Sequence, residues 1–269
     1  MASYTNISNP TTKFNTKLYT GNGSVRTETG VGFQPDWTWI KDRTGTNAHT
    51  LTDAVRGANY QVYTNLTNAQ TNASGYLTAF TSDGFTLGTD GAVNQNSRNY
   101  VAWNWKANGQ GSSNTDGTIN STYTSADQTS GFSIVKNTGT GSSATVGHGL
   151  GATPSSIFIK ELGNANNWHV WHDTLSATQY LLLDSINAKA NYAPVGIGTM
   201  TSTTFSVGTV AGVNRSGGTY IAYVFSNRRG FSRIGRYVGN ASVPEAPMIN
   251  CGFKPAWVLI KNADASEHC

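Results

Sequence analysis

Two histidine–aspartate spacings are the first groups in this chain that could do chemistry. His49 and Asp53 stand four residues apart, as do His169 and Asp173. On an extended strand such residues share a face, so each pair suits a ligand or metal contact. The competing reading is a hydrogen-bonded, buried pair that fixes a strand end. That reading is preferred, because a repeated structure keeps its packing residues first. Asp83 and Asp90 sit in the Gly-rich turns Ser82-Asp83-Gly84 and Thr89-Asp90-Gly91. Loop carboxylates and carbonyls hold Ca²⁺ in lectin-like sandwiches, but Asp-Gly is equally a turn dipeptide that needs no ion. Trp168, Trp171, Tyr60 and Tyr63 are the candidate sugar platforms if their rings are exposed; most of the 7 Trp are expected in the core.

Hydrolytic chemistry is poorly served. A glycoside hydrolase needs two facing carboxylates roughly 5 to 9 Å apart. Among the 14 Asp and Glu none recurs as a suggestive pair. No G-x-S-x-G, H-E-x-x-H, P-loop or dinucleotide fingerprint occurs. Cys251 and Cys269 form no metal spacing. The expectation is a protein that is not an enzyme and has no cofactor, with Ca²⁺ at Asp83 and Asp90 as the one exception considered.

The elements that must position these residues are strands. Charged residues make up 12% of the chain, about half the usual share of about 25%. Thr, Ser, Asn and Gly fill the polar surface instead, a composition suited to pleated strands and tight turns. No Gly-free window of helical length keeps an apolar i, i+3, i+4 stripe. The net charge of +4 comes from dispersed Lys and Arg, with Arg228-Arg229 the only tight basic pair. Nucleic-acid binding is therefore not expected. The N-terminus lacks a secretory pattern, and no apolar run is long enough to span a membrane.

Three segments align. The strand ending in Ile-Lys reads Trp37-Thr38-Trp39-Ile40-Lys41, Ser156-Ile157-Phe158-Ile159-Lys160 and Trp257-Val258-Leu259-Ile260-Lys261. Phe85-Thr86-Leu87-Gly88 matches Phe205-Ser206-Val207-Gly208, and Tyr100-Val101-Ala102-Trp103 matches Tyr220-Ile221-Ala222-Tyr223. From Asp53 onward the first two copies are expected to stay 120 residues in register. Val101, Trp103 and Trp105 form the core face of the last strand, and the Trp37–Ile40 strand is apolar on both faces. Lys41, Lys160 and Lys261 are read as strand-end residues that snorkel to water. The fold expected is all-β: tandem antiparallel, jelly-roll-like sandwiches. Residues 1–106 form the first with a short N-terminal arm, 107–130 a Gly/Ser/Thr/Asn-rich linker, 131–230 the second, and 231–269 the start of a third, truncated copy. His268 is aligned with His49 and His169.

These motifs, with Asp53-Ala54-Val55-Arg56-Gly57 and Ser82-Asp83-Gly84-Phe85-Thr86-Leu87-Gly88, resemble a repeated domain family of uncharacterised function found in tail-fibre-like and other virion proteins of bacteriophages. The resemblance implies a concanavalin-A-like or laminin-G-like jelly roll carried on the particle. It further implies other virion proteins as partners, a homo-oligomer that is trimeric by analogy with phage fibres, assembly in the bacterial cytoplasm, and a host-surface glycan as ligand. A decoration protein of the head without ligand, or a polysaccharide depolymerase, are the alternatives.

Overall fold

The computed structural model describes residues 5–192, 196–240 and 247–267. Aromatic and β-branched residues alternating with Thr, Ser and Asn favour short strands, and Gly and Asn turns end them. The first unit contains β1 (Phe14–Thr20), β2 (Arg26–Thr29), β3 (Trp37–Asp42), β4 (Thr50–Asp53), β5 (Tyr60–Tyr63), β6 (Thr71–Asn72), β7 (Leu77–Thr81) and β8 (Gly84–Leu87). A single helical turn, α1 (Gly91–Asn94), then leads into β9 (Asn99–Trp105). The second contains β10 (Ser112–Asn114), β11 (Ser121–Asp127), β12 (Phe132–Thr138), β13 (Ala144–Gly147), β14 (Ser156–Glu161), β15 (His169–His172), β16 (Gln179–Leu182), β17 (Ala190–Asn191), β18 (Ile197–Met200) and β19 (Thr204–Val207). It closes with α2 (Ala211–Asn214) and β20 (Thr219–Phe225).

Each unit is an antiparallel sandwich of one large and one small sheet. The large sheets run β1-β9-β3-β4-β5-β6 and β10-β11-β12-β20-β14-β15-β16-β17; the small ones run β2-β8-β7 and β13-β19-β18. The two orders match, except that β10 and β11 extend the second large sheet.

The repeat is therefore real in topology, but its register differs from the expected one. Trp39 pairs with Leu51, and Phe158 with Val170, so the offset here is 119. The same offset relates Thr64 N–His49 O to Leu183 N–Trp168 O. It becomes 120 from β7 and β18 onward, where Leu77–Leu87 matches Ile197–Val207 and Gly88 N–Tyr76 O matches Gly208 N–Gly196 O. His49 is thus the counterpart of Trp168, and Asp53 of His172. The His-x-x-x-Asp spacing is not a structural repeat. His268 lies outside the described residues.

Three cores hold the layers together. Ile40, Tyr100, Ala102, Phe85 and Leu87 fill the first sandwich, and Ile157, Ile159, Ala222, Val224 and Phe205 the second. The third core lies between the two large sheets. Trp37, Trp39, Leu51, Val62 and Trp105 of the first unit meet Phe132, Ile134, Phe158, Trp168 and Tyr223 of the second. Trp37 packs 5.5 Å from Phe132 and 5.2 Å from Tyr223, centroid to centroid. This shared core explains why β3 is apolar on both faces. It also corrects the single core face assigned to the last strand, for both faces of β9 and of β20 are buried in cores.

Residues 107–130 are not a free linker. Thr124 of β11 pairs with Val135, β10 adds an outer strand, and Ile119 is buried in the second sandwich. The composition is that of a polar edge strand, which resembles that of a linker. No regular strand occurs within residues 247–267. There Trp257, Leu259 and Ala263 pack against the shared core, while Val258 and Ile260 are exposed.

Candidate functional site

The most developed polar cluster joins the two units. β4 ends at Asp53, and the turn after it returns Arg56 onto the same carboxylate. Arg56 N donates to Asp53 Oδ1 at 2.8 Å, and its Nε pairs with Oδ2. Arg56 Nη2 also donates to Leu51 O at 3.1 Å. From β20 of the other unit, the Tyr223 hydroxyl donates to Asp53 Oδ2 at 2.7 Å. All three side chains are buried. Burial opposes the charge on Arg56, but Asp53 and Tyr223 hold its pKa above the usual value. Burial, aided by Asp53, pushes the Tyr223 hydroxyl well up, so it stays a donor. A buried ion pair survives only when its remaining groups are hydrogen-bonded. Here the cluster is sealed between sheets, and its chemistry is to lock the units in register.

Two of the three repeated lysines also bridge between segments. Lys41 Nζ donates to Asn47 O at 2.7 Å, Lys160 to Asn166 O at 2.7 Å, and Lys261 to Glu267 O at 3.3 Å. Each ties down the loop that follows it. Lys160 also reaches Thr67 O of the first unit at 3.0 Å, and Lys261 reaches Ser185 O of the second at 2.7 Å. Lys160 is fully buried, which corrects the snorkelling expectation. Burial brings its pKa down to about 8, against the pull of Asp184 and Glu161.

A family model described as a domain of unknown function, DUF7483, matches residues 9–269. The chain belongs to this family. No curated protein and no solved structure shows significant similarity to it.

The residues singled out by sequence are scattered over this DUF7483 fold. Trp168 is fully buried in the shared core, where its Nε1 donates to Tyr63 O at 2.8 Å and its ring stacks on Tyr223. Trp171 belongs to the core of the second sandwich. Neither presents a face to a sugar. Tyr60 is half-buried, and Tyr63 shares a 3.0 Å hydroxyl contact with Tyr76. His49 Nδ1 accepts from Trp39 Nε1 at 3.1 Å, which fixes a neutral ring protonated on Nε2. His169 Nδ1 meets the Tyr192 hydroxyl at 3.0 Å. Burial, then a neighbouring lysine, lowers both histidines to about 4. Neither histidine bonds the aspartate four residues on: Asp53 binds Arg56, and Asp173 contacts His172. The expectation of a His–Asp pair is thereby corrected.

Asp83 accepts from Gly30 N at 2.9 Å and Gly32 N at 2.6 Å, bonds that lower its pKa. Asp90 caps α1 through Ala92 N at 2.8 Å. The two act in separate backbone turns. Among the described residues no group of three or more His, Cys, Asp or Glu is placed to hold a metal.

Sequence reading passed over Arg56 and Tyr223 as functional residues. The Asp-x-x-Arg-Gly spacing was the available signal for the first. Nothing local points to Tyr223, because its partner is 170 residues away.

Proposed function

We propose that this DUF7483 chain is a structural, non-catalytic component of a bacteriophage virion, a tail-fibre-like protein whose sandwiches are rigid building blocks. The observation that carries the reading is the shared aromatic core sealed by Asp53, Arg56 and Tyr223. Two sandwiches welded face to face suit load-bearing better than a hinged, ligand-closing arrangement. The motif resemblance supplies the phage setting, and the neighbours expected are other virion proteins. Host-surface glycan binding through displayed copies belongs to the same proposal, with avidity compensating for weak single contacts. The rings available for it are the partly exposed Tyr60 and Tyr63, since Trp168 and Trp171 are enclosed.

The test is immunogold labelling of purified particles with antibodies against the chain, together with mass spectrometry of the particles. Labelled fibres at the tail are expected. Label confined to the head would favour a decoration protein, and absence from purified particles would overturn the structural reading. Release of new reducing ends from host polysaccharide would overturn the non-catalytic one.

A further inference from the structure

We infer that the sandwich units close as a ring of three around the shared aromatic core. Residues 252–263 occupy the third position. Two kinds of contact between units carry this inference.

The first kind is the lysine bond. Lys160 of the second unit donates to Thr67 O of the first, and Lys261 of the third segment donates to Ser185 O of the second. A return bond accompanies each: Gln70 N donates to Leu162 O at 2.9 Å, and Lys189 N donates to Ala263 O at 2.8 Å. Leu162 and Ala263 each lie two residues beyond their lysine. The third segment is therefore seated on the second unit as the second is seated on the first.

The second kind is aromatic. Trp37 of the first unit lies 6.0 Å from Phe225 of the second. Trp257, the counterpart of Trp37, lies 5.2 Å from Trp105, which is the counterpart of Phe225 but belongs to the first unit. The step from third to first is thus the same as the step from first to second. Repeating head-to-tail contacts either close into a ring or run on as a filament; a contact between third and first of the same type marks closure.

Trp257, Leu259 and Ala263 pack against the shared core, whereas Val258 and Ile260 are exposed. Ile40 and Ile159, counterparts of Ile260, are buried in their sandwich cores. The third segment thus repeats the inward face of the Ile-Lys strand, the face that meets the ring.

Spin labels on the full chain test the closure. Thr46, Ala165 and Ser266 each follow their lysine by five residues and are exposed. They are replaced in pairs (Thr46→Cys, Ala165→Cys, Ser266→Cys), with Cys251→Ser and Cys269→Ser as background, and distances are read by pulsed electron paramagnetic resonance. A closed ring gives three similar distances, whereas an open stack makes the Thr46–Ser266 distance about twice the others and overturns the inference. The three distances should persist when the labelled chain is diluted with an excess of unlabelled chain. Loss of the Thr46–Ser266 distance on dilution would give the third position to a second copy and overturn its assignment within one chain.

Discussion

The Tyr223 hydroxyl of the second sandwich donates to Asp53 Oδ2 of the first at 2.7 Å, on the carboxylate that Arg56 already holds. One proton thus links two units whose own cores are separate. Tyr223→Phe keeps the ring in the aromatic core and removes this bond together with the 3.5 Å bond the hydroxyl accepts from Arg56 Nη2. The loss expected is about 1–3 kcal/mol, the range for a buried hydrogen bond to a charged group. Asp53→Ala strands the Arg56 charge and should cost about 3–5 kcal/mol. Urea denaturation followed by tryptophan fluorescence measures both.

Trp168 separates a binding role from a packing role. A sugar platform could be truncated with little effect on folding. Here Trp168→Ala removes a fully buried ring from the shared core and should destabilise by about 3–5 kcal/mol. Thermal denaturation is the check.

Gly111 tests whether residues 107–130 are structural. Its φ is +74°, and a Cβ there would meet Thr124 O at 2.2 Å. Gly111→Ala should cost about 1–3 kcal/mol. In a free linker the same change would be neutral. The measurement is the urea midpoint of the variant against the parent.

The histidines set an acid limit. His49 and His169 titrate near 4 when folded, below the unfolded value of about 6.5. The unfolded chain therefore binds more protons between these values. The stabilisation is complete above about pH 6.5 and falls as pH drops towards 4, by up to ~1.4 kcal/mol per pH unit for each ring. Urea midpoints across pH 4–7 should show this slope, and His169→Phe should remove the share of that ring.

Lys160 works in the alkaline range with the same sign. Its folded pKa is about 8 and its unfolded value about 10.4. The unfolded chain again holds the extra proton, so this group's share of stability rises from pH 8 to 10. The difference between parent and Lys160→Met should widen in the parent's favour over that interval. A constant difference would contradict the buried lysine.

Much of the fold was legible because strands announce themselves locally. Trp37–Lys41 is a short apolar run of strand-forming residues, and Tyr100–Trp105 carries a period-two pattern. What was not legible depends on distant surfaces. Val101, Trp103 and Trp105 could be assigned to a core face, but nothing near them says that the opposite face packs too. Trp168 reads as an exposed platform until the first unit covers it. The polar run Ala107–Ser130 fits a linker as well as an edge strand, since its pairing partner, β12, decides between them. The misread His169 shows how a one-residue shift between turns survives in an alignment anchored on later strands, and is resolved only by the Phe158–Val170 pairing.

Scanning calorimetry tests most directly whether the two sandwiches form one block. The shared core predicts a single transition for both, with calorimetric and van't Hoff enthalpies in a ratio of about one. Two separable transitions, or a ratio well above one, would mean that the sandwiches unfold independently and would contradict the rigid block on which the structural role rests.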